Sequence, residues 1–136
     1  MTNSANSNGK VILCVDDETT GLSVRKMLLE FQGYRVLTAE NGPDALVLFS
    51  SENVDGVILD YSMAGMNGDV VAERMKELRP DVPIIMLSAY IDLPGETLTQ
   101  VDKSITKGEP SRVLLDAMSQ LINGNRQVQS KAISAK

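Results

Sequence analysis

Five side chains in this 136-residue chain have types and positions suited to chemistry: Asp16, Asp17, Asp60, Ser88 and Lys107. Each follows a short apolar or mixed run. Val11-Ile12-Leu13-Cys14-Val15 leads into Asp16-Asp17-Glu18, Val57-Ile58-Leu59 into Asp60, and Ile84-Ile85-Met86-Leu87 into Ser88. A weaker run ends at Lys107. A carboxylate such as Asp60 can act as a nucleophile toward a phosphoryl group. Carboxylates gathered at one place repel and raise each other's pKa, so Asp16, Asp17 and Asp60 need a counter-charge. Mg²⁺ suits them, because it prefers hard oxygen donors and leaves room for a phosphate oxygen. Phosphoryl transfer is mostly positioning and charge compensation. The Lys107 ammonium and the Ser88 hydroxyl are groups of the right kind to hold the remaining phosphoryl oxygens.

These residues can converge only if the elements around them place them together. Residues 10–15, 34–39, 54–59 and 83–87 read as strands, and 101–106 as a weak fifth. Apolar runs bounded by turn signals are expected of strands buried on both faces. Between them, residues 19–32 show a helical pattern in which Val24, Met27, Leu28 and Phe31 share a face, with Gly33 as a C-terminal stop. Asn41-Gly42-Pro43 opens a helix carrying Ala45, Leu46 and Phe49. Residues 69–78 form another, with Val71, Met75 and Leu78 on one side and Arg79-Pro80 as its end. Pro94-Gly95 interrupts the next segment and leaves room for a short helix near residues 96–100. A last helix begins at Glu109-Pro110-Ser111, buries Leu114, Ala117, Met118 and Leu121, and is expected to end at Gly124. Strands alternating with helices through short connections predict an α/β fold, a doubly wound five-stranded parallel sheet of order 2-1-3-4-5. In that order the carboxyl ends of strands one, three, four and five share a rim.

Composition narrows the function class. A net charge of −5 argues against a broad footprint for nucleic acid or an anionic membrane. The chain has no histidine, so imidazole catalysis and histidine-ligated metals are excluded within it. Its one cysteine, Cys14, lies in an apolar run and reads as a buried small hydrophobe. The start is rich in Asn and Ser and is unlike a signal peptide, and no stretch has the length of a membrane span, so the expected compartment is cytoplasmic. The expected organisation is a disordered segment over residues 1–9, one domain over 10–124, and a polar tail or truncated linker over 125–136.

Taken together, Val15-Asp16-Asp17-Glu18, Leu59-Asp60 with Met63-Ala64-Gly65-Met66-Asn67-Gly68, Leu87-Ser88-Ala89 and Lys107 resemble the response-regulator receiver domains of two-component signalling, over about residues 10–124. The resemblance implies a flavodoxin-like fold. It implies Asp60 as phosphoacceptor, Asp17 as a direct Mg²⁺ ligand, Asp16 acting partly through water, and the Ser62 backbone carbonyl as a further ligand. Ser88 matches the switch hydroxyl and Lys107 the phosphoryl-pairing lysine. It also implies a sensor histidine kinase or histidine phosphotransfer protein as donor, and a downstream effector protein or a removed output domain as reader. No direct nucleic-acid or membrane contact is expected, and phosphorylation-dependent dimerisation stays open. Such a chain is not an enzyme beyond catalysing its own phosphorylation and dephosphorylation. Four departures bear on readout. Ala64 and Gly108 stand where the family usually has proline, Ser104 stands where it has a switch aromatic, and the segment between Ser88 and Lys107 is short. Tyr90 is a candidate substitute ring.

Each part has a bland reading alone: acids after a strand often cap the next helix, and Ser88 or Lys107 could be a plain hydroxyl or a solvated cation. Three further readings compete with the phosphoacceptor. A degenerate receiver would signal by binding alone. A phosphohydrolase with an aspartyl-phosphate intermediate would want Asp-x-Asp-x-Thr at the first strand, and Asp16-Asp17-Glu18-Thr19 does not fit. A flavin mononucleotide binder would want a Ser/Thr/Gly-rich loop there, and an acidic pair has the wrong charge.

Overall fold

The computed structural model describes residues 9–89 and 93–134, with side chains through residue 124. Tyr90 and most of the expected disordered segment, residues 1–8, lie outside the described residues. The strands are β1 (Val11–Val15), β2 (Arg35–Ala39), β3 (Gly56–Asp60), β4 (Ile84–Ser88) and β5 (Lys103–Thr106). The helices are α1 (Thr19–Phe31), α2 (Gly42–Ser51), α3 (Gly68–Leu78), α4 (Gly95–Thr99) and α5 (Ser111–Ser134). All strand pairs are parallel and the sheet order is β2-β1-β3-β4-β5, as the alternation predicts.

Alternate residues of each central strand serve opposite layers, because successive side chains of a strand leave opposite faces. Leu13, Val15, Val57, Leu59, Ile84 and Met86 pack with Ala45 and Phe49 of α2 and Val71, Ala72 and Met75 of α3. Ile12, Cys14, Ile58, Ile85 and Leu87 pack on the other face with Leu22 and Leu29 of α1 and Leu114, Ala117 and Met118 of α5. Strands β1, β3 and β4 are buried at every position, so their unbroken apolar runs carry no alternation. The flanking strands β2 and β5 show Arg35, Thr38, Lys103 and Ser104 to solvent.

Three expectations are corrected. The buried face of α1 is Leu22 and Leu29, whereas Val24, Met27 and Phe31 are exposed, Phe31 by 86%. Apolar residues surround this helix, so two overlapping patterns fit a helical period, and the sheet selected the one with fewer members. Leu78, read as part of the buried side of α3, is exposed at the helix end. Gly124 does not end α5, which continues to Ser134. A glycine costs about 1 kcal/mol in a helix, less than a break requires, and good helix formers such as Arg126, Gln127 and Lys131 follow it. The fourth helix is short as expected: α4 has five residues and starts directly after Pro94.

Candidate phosphoacceptor site

The site is built where β1, β3, β4 and β5 end. Register sets it. Val15 pairs with Leu59, Asp60 with Leu87, and Ser88 with Thr106. Asp16 and Asp60, each just past or at a strand end, therefore lie on neighbouring strands of the sheet. The ladder continues beyond the strands: the Tyr61 amide donates to the Leu87 carbonyl at 2.9 Å and the Lys107 amide to the Ser88 carbonyl at 2.8 Å. The second bond ties the backbone of the lysine to that of the serine.

One oxygen of each of Asp16, Asp17 and Asp60 lies within 4.8 Å of the others. Asp16 and Asp60 are buried, and Asp17 is exposed. The Lys107 ammonium reaches both buried acids, 3.0 Å from Asp60 Oδ1 and 3.2 Å from Asp16 Oδ2. Asp16 Oδ1 accepts the Glu18 amide at 2.9 Å. The helix-capping role belongs to Glu18, whose carboxylate accepts the Gly21 amide at 3.1 Å, leaving the two aspartates to the rim. Asp17 Oδ2 accepts the Ala64 amide at 3.2 Å. That bond exists because residue 64 is not proline, which has no N–H to give.

The environments separate the two buried acids. Burial pushes the Asp60 carboxyl up to about 6; the Lys107 hydrogen bond opposes this and the Asp16 charge adds to it. Burial also raises Asp16, but the Glu18 amide, Lys107 and Arg25 together outweigh it and hold that carboxyl below its ordinary value. Burial lowers the Lys107 ammonium, and its contacts with Asp60 and Asp16 more than reverse this, so it stays a cation. Cys14, fully buried one residue before Asp16, is pushed by burial to about 12 and is an inert neutral thiol.

The loop after β3 is held against Asp60. The Gly68 amide donates to the Tyr61 carbonyl at 2.8 Å. A Cβ on Gly68 would run into the Asp60 carbonyl oxygen and come within 3.0 Å of the Tyr61 Cα, so only glycine permits this approach. Ser62, expected to supply a backbone carbonyl, is an exposed residue of this loop, two positions past Asp60. Ser88 is buried at the end of β4, next to Leu87, the partner of Asp60. Among the described residues Ser88 also lines a hollow of about 340 Å³, with Leu93, Ser104, Ile105, Thr106 and Val113. Ser104 is exposed there and contributes no ring.

The donor set suits a hard divalent cation: clustered carboxylate oxygens of Asp16, Asp17 and Asp60, with neither histidine nor an ionised thiol beside them. One contributor was missed in the sequence. Arg25, on the inward side of α1, donates to Asp16 Oδ2. Its signal was a charge spaced between Leu22 and Leu29, visible only once the buried face of α1 is known.

Comparison with known proteins agrees with this geometry. The chain resembles, at 30% identity and a TM-score of 0.84, a CheY-like response regulator receiver domain protein from Methanospirillum hungatei, over 88% of this chain and 98% of that one. The response regulator TrrA of Thermotoga maritima, solved with Mg²⁺ and BeF, is 37% identical with a TM-score of 0.76, covering 82% of this chain and 98% of that one. TrrA has also been solved in complex with the histidine kinase ThkA. The phosphate regulon transcriptional regulatory protein PhoB of Pseudomonas aeruginosa is 41% identical over 83 residues, which are 60% of this chain and 36% of PhoB. The match spans 10–36% of the length of such curated relatives. The family described as response regulator receiver domain matches residues 12–119. With its sheet order, its acidic rim and this match, the chain belongs to the response regulator receiver domain family.

Proposed function

We propose that Asp60 takes a phosphoryl group from the phosphohistidine of a histidine kinase or phosphotransfer protein, in a Mg²⁺-dependent reaction that switches contacts with a partner protein. The observation that carries this reading is the buried Asp60 carboxylate held 3.0 Å from the Lys107 ammonium, with Asp16 and Asp17 beside it at an open rim. The Mg²⁺ bound by TrrA and the kinase seen with it support the reading for this chain by analogy.

The chain's own residues account for most of the chemistry. An Asp60 oxygen attacks phosphorus as the P–N bond to the donor imidazole breaks. The electron pair leaves with the imidazole nitrogen, which takes up a proton. Lys107 is placed to offset charge on one equatorial oxygen as it develops, and Ser88 to donate its hydroxyl to another. Asp16, Asp17 and Asp60, with the Ser62 carbonyl, would hold the divalent cation. When bound, that ion neutralises the acids and a phosphoryl oxygen. Hydrolysis of the aspartyl phosphate returns the site to its start, and no turnover of an external substrate is expected.

Incubation with acetyl phosphate and Mg²⁺ followed by intact mass measurement tests this. The expected product is one labile phosphoryl adduct, absent with EDTA and absent in Asp60→Asn. No adduct with Mg²⁺ present would favour a receiver that acts by binding alone. Many phosphate esters hydrolysed per protein would favour a phosphohydrolase.

A further inference from the structure

Arg25 lies outside the residue set that accounts for phosphoryl transfer, yet it occupies the same pocket. Side chains of a helix tilt toward its N-terminus, so a residue in the second turn of α1 can reach back over the first. Arg25 does so. Its side chain is 16% exposed, and its guanidinium donates to Oδ2 of the fully buried Asp16. Residue 21, one turn earlier on the same side, is glycine. A Cβ there would stand 3.4 and 3.7 Å from the two terminal nitrogens of Arg25 and 2.7 Å from Glu18 Oε1. A longer side chain at position 21 would claim the space in which the guanidinium rests.

The consequence falls on Asp16. Its Oδ1 is taken by the Glu18 amide, and its Oδ2 is shared by Arg25 and by Lys107 at 3.2 Å. Asp17 Oδ2 is likewise held, by the Ala64 amide. The acidic pocket therefore carries its own counter-ions. A divalent cation that approaches Asp16 Oδ2 must compete with the guanidinium that already holds it, and two cations cannot share that place without repulsion.

We propose that Arg25 is an internal competitor for the divalent cation: seated over Gly21, it holds Asp16 in the metal-free pocket and must release that carboxylate before the cation can use it. This rests on the reading of the Asp16, Asp17 and Asp60 cluster as a cation site. Arg25 is a positioning residue by this account, acting through Asp16. It sets how tightly the pocket takes the ion and couples the seat of α1 to metal occupancy. A seat filled ten times for each time it is vacant weakens apparent affinity about tenfold.

The test is direct titration of the full chain with Mn²⁺, free ion being read by electron paramagnetic resonance and Mg²⁺ used as competitor. Arg25→Gln should bind Mn²⁺ about 3- to 10-fold more tightly than the natural chain. Gly21→Leu keeps the arginine but removes its seat, and should tighten binding in the same direction. It uses a good helix former, so it serves where Arg25→Gln does not fold. In thermal melts, Mg²⁺ should raise the midpoint of either variant more than that of the natural chain. Unchanged or weaker Mn²⁺ affinity in the variants that fold, with natural-chain binding still lost on Asp17→Asn, overturns the competitor role alone. No saturable Mn²⁺ binding by any of these proteins overturns the cation site and the competitor with it.

Discussion

Asp60 is a carboxylate that the metal-free protein would rather keep protonated. Its pKa of about 6 lies above the ordinary 3.8, because burial outweighs the Lys107 hydrogen bond. A raised carboxyl means that the folded state holds this proton more tightly than the unfolded chain. Its ionisation therefore subtracts stability as pH rises from about 3.8 to about 6, and the full loss persists above. Asp60→Asn removes that charge while keeping the shape. In EDTA at neutral pH the variant should be more stable by on the order of 2 kcal/mol, a gain that shrinks toward zero below pH 4, as urea melts across that range would show. An equal gain at every pH would contradict the account. Gly68 acts at the same scale. Gly68→Ala sets a methyl against the Asp60 carbonyl oxygen, so it should lose about 1–3 kcal/mol in urea melts. It should also slow adduct formation with acetyl phosphate, because the backbone that moves is that of Asp60, the proposed acceptor.

Among the elements, α1 is the one whose orientation matters most. Turned so that Leu22 and Leu29 meet the sheet, it brings Arg25 to the acidic rim and leaves Val24, Met27 and Phe31 outward. Two substitutions separate this orientation from the one that periodicity suggests. Leu29→Ala should lose about 2–4 kcal/mol, as for a fully buried leucine, while Phe31→Ser should change stability by less than about 0.5 kcal/mol. Equal losses in chemical denaturation would mean that α1 is rotated from the position described. At the other side of the sheet, Asp102 joins β4 to the approach of β5. It accepts the Ile84 amide at 2.7 Å and the Lys76 ammonium at 2.8 Å. That anchor compensates for a short strand with little apolar side-chain area.

At the scale of the molecule, a fully buried centre carries an exposed rim. Strands β1, β3 and β4 are enclosed by helices on both faces, whereas β5 is a flanking strand with exposed Lys103 and Ser104. Native-state hydrogen exchange should therefore find the slowest amides in β1, β3 and β4, close to global unfolding, and much faster exchange in β5 and α4. Comparable protection in β5 would show that the region around Ser88 and Ser104 is tied down more firmly than its packing implies. The proposed phosphoryl chemistry sits on the stable centre, and the departures at Ser104 and Gly108 sit on the less buried flank. Among the described residues, no helix is long and apolar enough to cross a membrane.

Much of this was legible in the chain. Val57 to Leu59 running into Asp60, and Ile84 to Leu87 running into Ser88, mark buried strands and their ends by local pattern alone. The alternation with helices then constrains the sheet order, because parallel strands need right-handed crossovers. Strand boundaries shifted by a residue or two, since hydrogen bonding and hydrophobicity do not stop together: β3 begins at Gly56, after the apolar Val54, and includes Asp60 itself. What local pattern could not decide was how α1 turns on the sheet. Its apolar residues fit two faces, and only packing against Ile12, Cys14 and Ile58 chooses between them. The contacts that give the site its electrostatics are of the same kind. Lys107 and Asp16 are separated by 91 residues, and Arg25 meets Asp16 only after that rotation is set. The sequence by itself determined which groups are available at the strand ends. The tertiary structure decided which of them share a charge, because that depends on neighbours that the sheet order and the seat of one helix bring within a hydrogen bond's reach.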